Sequence, residues 1–207
     1  MTIKDSKVDV CFVIPSSAKK AYQELADVYS AIEPPTWALL LAESLRAHKY
    51  DSVILDFDAD RKTLDESVKS IVDTKARLAV FVLYGQNPNS GTTLMIGASE
   101  LADQLKKDSP EFKIGFIGSH VSALPFEVLK NESCIDFVLC NEGVYALRNL
   151  LKTDIDDTEG LSKIKGIGFR KNGRPMLTVP EQIVPQDRMD IDLPGYAWDL
   201  LPYDKKP

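Results

Sequence analysis

Leu78-Ala-Val-Phe-Val-Leu-Tyr84 is a run of seven apolar or aromatic residues with no polar alternation. A strand with one wet face alternates, whereas a strand covered on both faces reads as a continuous apolar run, as in a parallel sheet between helical layers. Working outward, four similar runs appear: Val8–Pro15 (VDVCFVIP), Ser52–Phe57 (SVILDF), Lys113–Ile117 (KIGFI) and Asp136–Cys140 (DFVLC). Helical stretches separate or follow them: Thr36–His48, Leu64–Lys75, Thr92–Asp108, Phe126–Asn131 and Val144–Lys152. Leu64, Val68, Ile71 and Val72 recur near the 3.6-residue period. Thr36 reads as an N-cap after Pro34-Pro35, and Thr63-x-x-Glu66 as a capping box. Alternating strands and helices predict a flavodoxin-like (Rossmann-like), doubly wound α/β fold: a five-stranded parallel sheet in the order 2-1-3-4-5.

The pattern changes near residue 153. Residues 154–160 form an acidic loop, and Gly166–Arg170 and Arg174–Val179 flank Asn172-Gly173 as a β-hairpin. From Pro180 the chain is rich in proline and reads as an irregular tail with an aromatic cluster, Tyr196 to Tyr203. The expected organisation is an α/β domain over 1–153 and a hairpin and linker over 154–207.

Composition narrows the function. The 207 residues carry 25 Lys and Arg against 31 Asp and Glu, a net charge of −6, which gives a nucleic-acid backbone no electrostatic support. The longest apolar runs are too short for a bilayer, and the polar N-terminus lacks the apolar core of a signal peptide, so a cytoplasmic protein with no membrane partner is expected. The three cysteines, Cys11, Cys134 and Cys140, have no metal-cage spacing and read as buried thiols.

In this fold, ligands bind at the carboxyl ends of the strands. Those ends hold Pro15-Ser16-Ser17, Asp56-Phe57-Asp58, Tyr84-Gly85-Gln86-Asn87, Gly118-Ser119-His120 and Asn141-Glu142-Gly143. A phosphoryl receiver needs acidic residues after strand 1 and an Asp ending strand 3, which are absent. Neither a dinucleotide fingerprint after strand 1 nor a P-loop occurs. Ser16-Ser17 only faintly echoes an FMN phosphate loop.

Four stretches carry a resemblance. Pro34-Pro-Thr-Trp-Ala-Leu-Leu-Leu-Ala-Glu-Ser-Leu-Arg46 is similar to a PPLGLLYLAAxLR helix opening, and Gly118-Ser-His-Val-Ser-Ala-Leu-Pro125 to GGPHATALP. Asp136-Phe-Val-Leu-Cys-Asn-Glu-Gly143 is similar to DFVVxGEGE. The fourth stretch combines residues 164–173 with 193–202, and it is similar to a linker before a catalytic domain. In this order they resemble the N-terminal cobalamin (B12)-binding domain of B12-dependent radical S-adenosylmethionine (SAM) enzymes. Departures from the pattern are Ser119 and Asn141, each for a Gly, Val144 for a Glu, and one residue missing near Ser119.

The resemblance implies a corrinoid cofactor, cobalamin, held by Ser16, Pro35, Thr36, Tyr84, Gly85, Gln86, Gly118, Ser119, His120, Val121, Asn141, Glu142 and Gly143. The histidine motif D-x-H-x-x-G is absent: His48 and His120 are preceded two positions earlier by Arg46 and Gly118. Base-off cobalamin without a protein histidine on cobalt is therefore expected, with Tyr84-Gly85-Gln86 facing its lower side. No residue here is a catalytic acid, base or nucleophile. The resemblance implies that the [4Fe-4S] cluster and SAM belong to a radical SAM domain of a longer chain, which carries out methyl transfer or related radical chemistry on an unactivated carbon. His120 reads as a hydrogen-bonding or turn residue and His48 as a surface residue near a helix end. Asp56 and Asp58 could contact corrin amides or sit solvated, Glu142 could bind ligand or cap the next helix, and Trp37 could line the cavity or pack in the core. Two rival readings stand: a degenerate or stand-alone interaction domain without cobalamin, and an FMN-type carrier.

Overall fold

The computed structural model describes residues 8–16, 33–84 and 90–202. The apolar runs form β1 (Val10–Ile14), β2 (Ser52–Asp56), β3 (Leu78–Leu83), β4 (Ile114–Gly118) and β5 (Phe137–Leu139). They pair in parallel in the order β2-β1-β3-β4-β5. Between them lie α1 (Thr36–Arg46), α2 (Phe57–Asp60), α3 (Leu64–Asp73), α4 (Ser90–Asp108), α5 (Ser119–Ala123) and α6 (Pro125–Asn131), with α7 (Val144–Lys152) after β5.

Every residue of β3 is buried, as its unbroken apolar run requires. Alternate strand side chains enter opposite cores. Val10, Phe12, Val80 and Leu139 pack with Leu39 and Leu45 of α1 and Leu147 of α7. Cys11, Val13, Phe81 and Phe116 pack with Ile71 of α3, Leu101 and Leu105 of α4, and Leu129 of α6. The sheet is thus covered on both sides, and the carboxyl ends of its parallel strands form one edge.

Several sequence expectations hold in detail. Thr63 and Glu66 form the capping box at α3. Asn172 and Gly173 take φ values of 52° and 76°, the pair of left-handed residues a two-residue hairpin turn demands. Others change. Thr36 does not cap α1: Pro35 occupies the N-cap without a side-chain bond, and Thr36 is the first helical residue. Its N–H donates to the Pro34 carbonyl at 2.8 Å. The hairpin of β6 (Ile167–Lys171) and β7 (Arg174–Leu177) extends the sheet to seven strands, β6 lying antiparallel to β5. Arg170 of β6 donates to the carbonyls of Leu129, Glu132 and Ile135, closing the carboxyl end of α6 and the turn before β5.

The tail is less irregular than its prolines imply. Before the hairpin lies α8 (Thr158–Leu161); after β7 the chain runs over the α1/α7 side and carries α9 (Met189–Asp192). Val184, Ala197 and Leu201 of the tail are buried in the same core as α1 and α7. The Ala197 N–H donates to the Leu39 carbonyl at 3.2 Å.

Candidate functional site

The carboxyl edge is built from turns that bring chain elements unusually close. Gly118 ends β4, and a Cβ there would stand 2.4 Å from the Leu83 carbonyl oxygen at the end of β3. Only glycine permits that approach. At the start of α4, a Cβ on Gly91 would stand 2.2 Å from Ser119 Oγ and 3.1 Å from the His120 nitrogen. The amino end of α4 therefore packs directly on the turn from β4 into α5.

After β5 the chain turns through Asn141, at φ 55°, and Gly143, at φ 69°. Asn141 stands where the resembled pattern has glycine; asparagine is among the non-glycine residues that tolerate this left-handed region best. A Cβ on Gly143 would meet Ile117 Cδ1 at 2.3 Å.

This turn is held from three directions. The Tyr84 hydroxyl donates to the Asn141 carbonyl at 2.6 Å, the Trp37 indole N–H donates to the Glu142 carbonyl at 3.2 Å, and the Val184 N–H donates to Glu142 Oε2 at 2.7 Å. Trp37 and Tyr84 also pack ring against ring, centroids 5.3 Å apart. Burial, assisted by the nearby Glu142 carboxylate, pushes the Tyr84 phenol up to about 12, so it remains a neutral donor across the physiological range. Glu142 does not cap α7; Gly143 is the N-cap, without a side-chain bond.

Across the edge, His120 Nδ1 lies 3.0 Å from Thr92 Oγ1. Val121 is fully buried in the α3/α4/α6 core, so only its backbone is available at the edge. Ser16 is half-buried just beyond β1, and Pro35 and Thr36 open α1 on the same edge. Gly85 and Gln86 lie outside the described residues, as does Ser17. Asp56 accepts from the Ala59 N–H at 3.0 Å and so caps α2, a role its sequence position did not disclose. His48, beyond α1, is exposed; its Nδ1 lies 3.0 Å from the Ser44 carbonyl and its Nε2 2.6 Å from Arg148 NH1.

Sequence reasoning missed Thr92, Ser122 and Val184. Thr92 was legible only as the start of a helix. The Ser122 hydroxyl is buried beside Tyr84 and makes no hydrogen bond of good geometry among the described residues.

A corrinoid presents neutral amides, one phosphate and large apolar faces. The edge offers hydroxyls, an imidazole, an aromatic pair, two left-handed turn residues and a buried hydroxyl still seeking a partner. This donor set fits such a ligand. Among the described residues, no group of three or more His, Cys, Asp or Glu could hold a bare metal ion, and no helix is long and apolar enough to cross a membrane.

Residues 24–151, more than half of the chain, match the family model described as the B12 binding domain. An uncharacterized methyltransferase of Pyrococcus horikoshii is 26% identical over 172 residues, covering 83% of this chain and 35% of that protein. The radical S-adenosylmethionine methyltransferase TsrM from Kitasatospora setae, solved with cobalamin and a [4Fe-4S] cluster bound, superposes with a TM-score of 0.62 at 14% identity. That match covers 87% of this chain and 30% of TsrM. OxsB, a cobalamin-dependent S-adenosylmethionine radical enzyme, gives a TM-score of 0.57 at 12% identity over 92% of this chain and 25% of its own. The chain thus spans a quarter to about a third of the length of these proteins, and at these identities the two solved structures speak to the fold.

Proposed function

The chain belongs to the B12-binding domain family, and from that premise we propose that it is the cobalamin-holding module of a radical SAM enzyme, with methyl transfer as its reaction. The observation that carries the reading is the family match from residue 24 to 151, which takes in the β3, β4 and β5 carboxyl ends. The methyltransferase relative and the fold shared with TsrM and OxsB support the assignment to that enzyme class.

In this reading Gly118, Ser119, His120 and the Val121 backbone border the cofactor on the β4 side. Asn141, Glu142 and Gly143 border it on the β5 side, and Ser16, Pro35 and Thr36 across the edge. Tyr84, at the end of β3, would border the cofactor between the β1 and β4 ends, together with Gly85 and Gln86, which lie outside the described residues. Bound cobalamin supplies a cobalt centre able to carry a methyl group. The protein's own residues bind and orient: neutral donors face neutral amides, and the Trp37–Tyr84 pair offers an apolar wall. The cluster and SAM would sit in a partner domain of a longer chain, and the protein would work in the cytoplasm.

A second reading, an interaction domain that has lost cobalamin, is favoured by one observation: Ser119 Oγ sits against Gly91, where the resembled pattern has glycine. Incubation with hydroxocobalamin followed by desalting separates the two. Retained corrinoid absorbance at about one equivalent is expected; a colourless protein at micromolar concentration refutes the cobalamin reading.

A further inference from the structure

The tail from Pro180 to Leu201 is tied down at both ends and in the middle. Near its start, the Val184 N–H binds the Glu142 carboxylate, and Val184 itself is buried. In the middle, Asp192 is only 2% exposed and pairs with Arg148 of α7 at 2.8 Å. Asp192 also accepts from the Tyr145 hydroxyl at 2.8 Å and from Arg188 at 3.1 Å. Farther on, Ala197 binds the Leu39 carbonyl of α1, and Asp199 pairs with Arg46 at 2.8 Å. Only the first of these anchors reaches the carboxyl edge, and it does so through one side chain.

Glu142 is held at two points, one on its backbone and one on its side chain. The Glu142 carbonyl is fixed by Trp37 and its carboxylate by the tail, while the preceding carbonyl is fixed by Tyr84. Asn141 is held in a left-handed conformation, one that L-residues leave readily when released. We propose that residues 180–201 act as a strap that sets the Asn141–Gly143 turn, with Glu142 as the positioning residue linking strap to site. The order of the strap and ligand occupancy at the edge are then one coupled equilibrium. Linkage is reciprocal, so a ligand that needs the set turn protects the strap by the same factor by which strap order tightens the ligand. The strap-to-turn coupling stands on the geometry alone; its coupling to cofactor rests on the cobalamin reading.

The test uses the full chain with Trp198→Phe, which leaves Trp37 as the sole tryptophan and a reporter of its bond to the turn. In the apo-protein, Glu142→Ala should speed Val184 amide exchange by tenfold or more, and Glu142→Gln, which keeps an acceptor, should restore most of the protection. Asp192→Asn alters bonds to Arg148, Tyr145 and Arg188, none of which lies in the turn. It should nevertheless speed exchange at residues 141–143 and shift Trp37 emission in the direction of Glu142→Ala. In the loaded protein, hydroxocobalamin should slow Val184 exchange, and Asp192→Asn should weaken its binding by a matching factor. The proposal is overturned if Asp192→Asn loosens the strap yet leaves the 141–143 amides and Trp37 emission unchanged. If those respond but the parent protein binds no corrinoid, the cofactor half falls with the cobalamin reading, while the strap-to-turn coupling is upheld.

Discussion

Replacing Asp192 by asparagine isolates the strongest anchor of the tail. Burial by itself would raise the Asp192 carboxyl, but Arg148, Tyr145 and Arg188 all donate to it and hold it down to about 2, from an ordinary 3.8. A carboxylate depressed by that much contributes about 2 kcal/mol to whatever state keeps it paired. The asparagine keeps the volume and one acceptor but loses the charge. It also leaves Arg148, 5% exposed and already with NH2 unpartnered among the described residues, without its counter-ion. Removing one partner of a buried pair costs roughly 3–5 kcal/mol where the site is dry; the retained acceptor and the half-exposed Arg188 favour the lower figure here. A loss of about 2 kcal/mol raises the opening equilibrium of the strap on the order of 30-fold.

The sign with pH follows from the direction of the shift. Because the folded value is depressed, the contribution is complete above the ordinary carboxylate range and disappears as pH falls towards 2. The parent and the variant should therefore differ most at pH 7, by only about a third as much at pH 2.5, and converge below pH 2. Hydrogen exchange read by mass spectrometry over residues 180–201 gives the opening equilibrium, and urea unfolding at the two pH values gives the global cost. A change under threefold at pH 7, or an undiminished difference at pH 2.5, would refute the reasoning.

Gly118→Ala should lower stability by about 1–3 kcal/mol in urea unfolding, since the added Cβ would stand 2.4 Å from a backbone oxygen that belongs to the paired end of β3. Asn141→Ala should cost roughly 1 kcal/mol and Asn141→Gly almost nothing, because the φ of 55° is the only demand made on that side chain by its backbone. Ser119→Gly removes the hydroxyl facing Gly91 and should lower the Kd for hydroxocobalamin severalfold relative to the parent in a spectrophotometric titration; an unchanged or raised Kd would show that the serine is no obstacle. Burial pushes the Cys11 thiol up to about 12 against a lowering bond from Thr74, so an aromatic disulfide reagent at pH 8 should leave Cys11 unmodified until denaturant is added, as read by peptide mapping.

The sheet was legible because its inner strands are covered on both faces, which removes polar alternation and leaves nearly continuous apolar runs. The hairpin was legible because Asn172-Gly173 is chemistry for two successive left-handed residues. What the sequence concealed was tertiary. Thr36 has the composition of a cap, yet Pro34-Pro35 already fixes the entry of the chain and moves the helix start by one residue. The hairpin's pairing with β5 depends on Arg170 reaching three carbonyls 35 to 41 residues away, and no local pattern encodes that distance.

The same distinction separates the two glycine departures at the site. At Asn141 the demand is conformational and local: the backbone must turn left-handed, and an asparagine satisfies it, so this departure leaves the turn intact. At Ser119 the demand is spatial and comes from elsewhere in the chain, namely the first turn of α4 at Gly91. A small residue there is tolerated by the fold, but its hydroxyl occupies the boundary between α4 and the β4 carboxyl end that a corrinoid would share. Reading both substitutions alike, as lost glycines, overstates the first and gives no mechanism for the second. On the cobalamin reading, the serine bears on how tightly the edge holds a cofactor, and the asparagine, held by Tyr84 and tied through Glu142 to the tail, on how the turn beside it is shaped.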